Sequence, residues 1–200
     1  MSPSILIIGC GALAQELAQL RRLNGWSQVT LRCLPPALHN RPERIAPALR
    51  TAIEAGRREF EHIFVAYADC GSGGAIDRLL GEYGIERLPG AHCYEFYAGS
   101  EAFAGLAEAE PGTFYLTDFL VRHFDRLVRR GLGLDRHPEL LVQYFGNYRR
   151  LVYLSQADDP ALEERARTQA GYLGLDYQKH ACGLGPLNRA VTERMIRWPN

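Results

Sequence analysis

The chain has 200 residues, 46% of them hydrophobic, with 23 basic and 23 acidic side chains and no formal net charge. That length suits a single domain able to bury a core without disulfide staples. The balanced charge argues against nucleic acid as a partner, and no segment approaches the roughly 20 apolar residues of a membrane span.

Ile5–Ile8 is an apolar run that ends in Gly9-Cys10-Gly11 and is followed by Ala12–Leu17 at helical spacing, the pattern of strand, tight turn and helix. It is too short for the core of a secretion signal and lacks a basic flank, which argues against export. Asn24-Gly25 closes the helix, Gln28–Cys33 reads as a second strand, and Pro35-Pro36 stops it. Between Glu43 and Glu59, Ile45, Leu49 and Ile53 fall at spacings of four, on one face of a helix. His62–Ala68 is the clearest strand; it runs into Asp69-Cys70-Gly71-Ser72-Gly73-Gly74 and then a helix over Ile76–Tyr83. Ile85–Leu88 is a short strand ending at Pro89-Gly90-Ala91-His92-Cys93, with a helix expected after it. Pro111-Gly112 opens the strand Thr113–Thr117. Beyond Asp118 helices are predicted over Phe119–Arg130, Glu139–Leu154 and Pro160–Leu173, and Tyr177–Cys182 is a candidate late strand.

Alternating strands and helices predict one α/β domain over residues 1–200, a Rossmann-like, mostly parallel sheet with helices on both faces. The helical part, about residues 119–174, would cap the sheet, pack on it or serve a homo-oligomer interface. Five cysteines, an odd number in no secreted scaffold pattern, point to reduced thiols and a cytoplasmic protein.

Cys10, Cys33, Cys70 and Cys93 each lie at or just beyond the C-terminal end of a predicted strand. In an open parallel sheet those ends share one edge, where ligands bind; the alternative is that the thiols are small buried fillers. Cys70 is the strongest single candidate, placed before a helix where backbone N–H groups lower a thiol pKa. The Gly71-Ser72-Gly73-Gly74 turn after it could cradle a small anionic ligand, or simply permit a tight bend. Cys70, His92 and Cys93 offer two thiolates and an imidazole, a three-ligand set for zinc or iron with a fourth position open. His39 is a further ligand or an acid/base group, and Asp118 is a polar site residue or a helix cap. Gly9 and Gly11 fit the dinucleotide pattern G-x-G-x-x-[G/A], yet the second strand ends in Arg32-Cys33-Leu34 rather than an acidic residue. NADP is therefore the weakest cofactor candidate, and close packing of the helix explains the glycines better. Cys182 reads as structural.

Gly9–Ala14, Leu38-His39-Asn40-Arg41-Pro42, Tyr67–Gly74, His92-Cys93-Tyr94, Pro111–Phe119 and Tyr144-Phe145-Gly146-Asn147-Tyr148 together form a distinctive set. In these the chain resembles the bacterial and archaeal family called domain of unknown function 1638. The resemblance implies a setting and no catalytic residue: members are often encoded beside corrinoid-dependent methyltransferase systems. The expectation that follows is a metal-dependent enzyme or accessory protein in one-carbon, corrinoid-linked methyl transfer, with a corrinoid protein or methyltransferase subunit as partner. The alternatives are a non-enzymatic module that binds a small anion or docks a partner, and an NADP-dependent reductase.

Overall fold

The computed structural model describes residues 4–195. The described chain folds as an α/β protein in two compact units, one up to Cys93 and resuming at Leu187, the other from Tyr94 to Pro186. Each is built on a three-stranded, all-parallel sheet.

In the first unit the elements are β1 (Ile5–Cys10), α1 (Ala14–Leu23), β2 (Val29–Leu34), α2 (Ile45–Gly56), β3 (His62–Ala66) and α3 (Ala75–Tyr83), in sheet order β2-β1-β3. Central β1 is buried along its whole length, which is why it reads as a continuous apolar run rather than an alternating one. Two glycines set how closely the helices approach. A methyl group at Gly9 would sit 2.7 Å from Leu17 of α1, and one at Gly56 of α2 would sit 2.5 Å from Leu6. Positions 6 and 9 point to opposite faces of a strand, so α1 and α2 cover the two sides of the sheet, the doubly wound arrangement expected. With order 2-1-3, the connection reverses direction between β1 and β3, and a crevice opens at their carboxyl ends.

The second unit holds α4 (Tyr94–Ala98), α5 (Ser100–Ala109), β4 (Thr113–Thr117), α6 (Asp118–Phe124), α7 (Leu140–Phe145), β5 (Arg150–Ser155), α8 (Pro160–Leu173) and β6 (Asp176–Ala181), in order β4-β5-β6. α9 (Gly185–Met195) belongs to the first unit from Leu187 onward. Among the described residues, no helix is long and apolar enough to cross a membrane.

Three predicted elements differ. The helix expected over Glu139–Leu154 stops at Phe145, and β5 begins at Arg150. Leu151-Val152-Tyr153-Leu154 is an unbroken buried run between two partner strands, so its pattern is that of a central strand. Ile85–Leu88 makes only a single bridge, Arg87 to Val65, before Pro89 ends the pairing. The Phe119–Arg130 helix departs from α geometry at His123 and widens into a π turn over Asp125–Arg129. By contrast, α8 has the ends its sequence specifies. Asp159 accepts from Ala161 and Leu162 N–H, Pro160 opens the first turn, and Gly174 stops the helix at φ 70°.

A buried carboxylate fastens the second sheet. Asp118, which begins α6 directly after β4, accepts hydrogen bonds from Tyr153 Oη at 2.7 Å and from the N–H groups of Gln156 and Ala157 at 3.0 and 3.1 Å. Tyr153→Phe removes one donor from this carboxylate. It should lower unfolding stability by about 1–3 kcal/mol, read from the urea midpoint. An unchanged midpoint would show that Asp118 does not depend on the phenol.

Candidate metal centre

At the carboxyl ends of the first sheet, loops following β1, β2 and β3 converge. Pro35 and Pro36 end β2 and start a 3₁₀ turn over Pro36–Asn40, which carries His39. Proline favours the first position of such a turn because its φ is already set. The Pro36 carbonyl lies 3.2 Å from His39 Nδ1, and Cys10 Sγ lies 3.6 Å from the same nitrogen.

The loop after β3 is folded around Asp69. Its carboxylate accepts from Ser72 Oγ at 2.7 Å, Gly74 N at 2.8 Å and Gly73 N at 3.2 Å. Gly71, Gly73 and Gly74 all take positive φ values open to glycine without strain. Cys70 takes φ 50°, the one non-glycine among the described residues in the left-handed region, a conformation that costs on the order of 1–3 kcal/mol and clusters at functional sites. Two hydrogen bonds hold it there: Asp69 N donates to Gly90 O at 3.2 Å and Cys70 N to Ala91 O at 2.9 Å. They tie the Cys70 loop to the segment that carries Cys93. Arg87 steadies that segment, bonding the carbonyls of Leu88 and Gly90 while paired with Asp77 at 2.6 Å.

The result is a compact donor group. Ligand atoms of His39, Cys70 and Cys93 all lie within 4.8 Å of one another. The two sulfurs are 3.0 Å apart, well beyond the roughly 2.05 Å of a disulfide. Cys70 is buried, His39 and Cys93 partly so. The three groups share their protons unevenly. A hydrogen bond from the Cys93 thiol, aided by His39, outweighs burial and brings Cys70 down to about 5. Cys93, the donor, is correspondingly pushed well above the ordinary thiol range. Burial alone would depress His39, but bonds to Cys10 and Cys70 and their charges raise it to about 11. At neutral pH the cluster is thus a thiolate, an imidazolium and a thiol.

A tetrahedral zinc site with sulfur and nitrogen ligands spaces its donors about 3.5–3.8 Å apart. The observed group brackets that spacing, with sulfurs 3.0 Å apart inside it and an outer limit of 4.8 Å beyond it, so small side-chain shifts would seat an ion; soft thiolates with imidazole suit zinc and iron. The residues fit a metal.

Of the residues expected at this site, Cys70 and Cys93 come together, and the imidazole is supplied by His39 rather than His92. Adjacent side chains diverge, and His92 is exposed and outside the group. Cys10 borders the group through His39, while Cys33 sits in β2 in register with Gly9, exposed and outside the group. The Gly71–Gly74 turn spends the N–H groups of Gly73 and Gly74, and the Ser72 hydroxyl, on Asp69. At Gly11, any side chain would meet Leu34 O and Pro36 Cδ at 2.8 Å, so chain packing fills the space over this glycine. Arg32, at the strand end where a dinucleotide site would carry an acidic residue, is paired with Glu59 at 2.7 Å. Asp118 lies in the second unit and holds the clasp described above. Cys182 lies there too; burial pushes its thiol up to about 12.

One residue escaped the sequence reading. Tyr67, directly after β3, is fully buried and stacked on His39, with ring centroids 6.4 Å apart and planes at 14°. Its hydroxyl makes no hydrogen bond of good geometry among the described residues. Burial, then the charges of Cys10 and Cys93, an approach to the Cys10 thiol and the charge of Cys70 hold its pKa far above the usual phenol value. The available signal was a bulky phenol in a strand run of smaller apolar residues, just before Asp69-Cys70.

The chain belongs to the family described as "Protein of unknown function (DUF1638)", which matches residues 33–191. No curated protein and no solved structure gives a match. His39, Tyr67, Cys70 and Cys93 lie inside the matched range and Cys10 lies before it.

Hydrogen bonds, first from Ser72 and then from Gly74 and Gly73, hold Asp69 below the ordinary carboxylate range. A depressed folded-state pKa contributes stability above the unfolded value and loses it as pH falls through the folded one. Asp69→Asn should therefore lower the melting temperature at pH 7, with the gap to wild type closing below about pH 4. A gap that persists at low pH would place the effect elsewhere.

Proposed function

We propose that the first unit binds a thiophilic metal, zinc or iron, through His39, Cys70 and Cys93, and that the bound metal serves one-carbon, corrinoid-linked methyl transfer. The protein would act there as the enzyme or as an accessory to a methyltransferase subunit or corrinoid protein. One observation carries the metal assignment: donors from three separate loops meet within 4.8 Å at the ligand-binding edge of a parallel sheet. Structural zinc sites are closed by four protein ligands, whereas catalytic ones use three and keep a position free. The group here has three.

A thiolate-held metal of this kind supplies Lewis acidity and lowers the pKa of a water or thiol bound to it. The chain's own residues do the rest. Pro36 O fixes the His39 ring through Nδ1, as outer partners of ligating histidines do. The strained Cys70 backbone and its bonds to the 90–91 segment aim the sulfur before any metal arrives. Binding needs both thiols reduced, which fits a cytoplasmic setting. The link to methyl transfer rests on the family resemblance, in which members are encoded beside corrinoid-dependent systems. That resemblance is what supports the pathway, and the donor group is what supports the metal.

Elemental analysis of untagged protein should find about one zinc or iron ion per chain. Cys70→Ser and His39→Ala should weaken binding at least roughly tenfold, while Cys33→Ser and His92→Ala retain the metal. Folded protein that stays empty when offered either ion would sink the assignment.

A further inference from the structure

Tyr67 is the one group at the centre whose placement the three ligands do not explain. Its ring lies roughly parallel to that of His39, with centroids 6.4 Å apart, and is wholly shielded from solvent. Its hydroxyl feels the charges of Cys10, Cys93 and Cys70 and leans toward Cys10, yet it makes no hydrogen bond of good geometry among the described residues. Buried hydroxyls in native folds nearly always have a partner, and leaving one unmade is costly. Tyr115 and Tyr177 also bury unpaired hydroxyls, but among these the Tyr67 phenol is the one stacked on a residue of the donor group, where it can offer a hydrogen bond to a ligand.

Cys10 does not take the fourth ligand position. Its sulfur accepts from Ala12 N at 3.3 Å, where it caps the turn after β1, and it stands outside the 4.8 Å donor group. Cys10 and Tyr67 thus border the centre without joining it.

We infer that Tyr67 is a positioning residue that donates its hydroxyl hydrogen bond to a small anionic donor, a thiolate sulfur or a hydroxide oxygen, bound at the fourth metal position. This rests on the metal assignment above. It adds that the centre is open, that its ligand is compact and anionic, and that one fixed donor orients it. No bond to Tyr67 forms or breaks: the phenol keeps its proton throughout.

The test uses full-length protein loaded with cobalt(II), whose visible spectrum reports ligands added to the metal. Azide and 2-mercaptoethanol serve as anionic nitrogen and sulfur probes. At least one should shift the wild-type spectrum saturably, and Tyr67→Phe should weaken that probe roughly tenfold, the loss of one hydrogen bond to a charged acceptor. Cobalt content should stay unchanged. A response to 2-mercaptoethanol alone marks a thiolate site, and a response to azide alone marks the hydroxide-like class. Because the substitution removes an unpaired buried hydroxyl, metal-free Tyr67→Phe should melt at the wild-type temperature or higher. Equal probe affinities in the two proteins, or a lowered metal-free melting temperature, would overturn the role. So would wild-type protein that takes cobalt but responds to neither probe, or a Cys10→Ala variant that loses the metal, since either shows a centre closed by protein. In those cases the metal assignment stands; wild type that takes no cobalt removes both.

Discussion

Two backbone hydrogen bonds, from Asp69 to Gly90 and from Cys70 to Ala91, are the constraint on which the centre depends. They stand where a fourth strand of the first sheet would continue, beyond the single bridge between Val65 and Arg87. Full strand pairing there would have carried both segments onward in parallel. Proline at position 89 ends the ladder early, and the chain instead bends so that two cysteines 23 residues apart bring their sulfurs to 3.0 Å. The left-handed backbone at Cys70 is the local cost of that bend. Asp69, by gathering the Ser72–Gly74 turn onto its carboxylate, keeps the strained residue from relaxing.

The electrostatics of the group follow from its crowding. Two thiols and an imidazole this close cannot all take their ordinary charge states in a partly dry site. They settle by sharing: Cys93 keeps its proton and gives a hydrogen bond, Cys70 carries the negative charge, and His39 carries the compensating positive one. Such an arrangement is tolerable only while every charge has a neighbour. A divalent cation would replace two protons with one stronger attraction, which is the usual bargain at thiolate centres. The apolar walls of β1 and β3 then keep bulk water from competing.

Much of this was legible in the sequence, and the failures have identifiable causes. The apolar runs of β1 and β3, the four-residue spacing in α2 and the capping residues of α8 state their structures locally, since burial and turn chemistry there agree. The gathering of Cys70 and Cys93 followed from the shared edge of a parallel sheet. β5 did not announce itself, because a short buried run lacks a period that separates strand from helix, and Gly146-Asn147 was the only break before it. The choice between His39 and His92 depended on side-chain direction in irregular loops, which no periodicity encodes. Tyr67 was invisible for a related reason: an aromatic residue ending a strand looks like core until its hydroxyl is seen to lack a partner.

The first unit is interrupted in sequence. The second unit interposes residues 94–186, and the chain then returns as α9, which buries Leu187, Val191 and Met195 and joins Asn188 to Asn24 at 3.0 Å. On the ribosome, the three donor side chains are therefore made early, and the unit around them is completed only after the second unit has been made. Until α9 emerges, the donor thiols stand on an incomplete scaffold. The order of synthesis thus delays the sheltering of the donor group until the closing helix has docked.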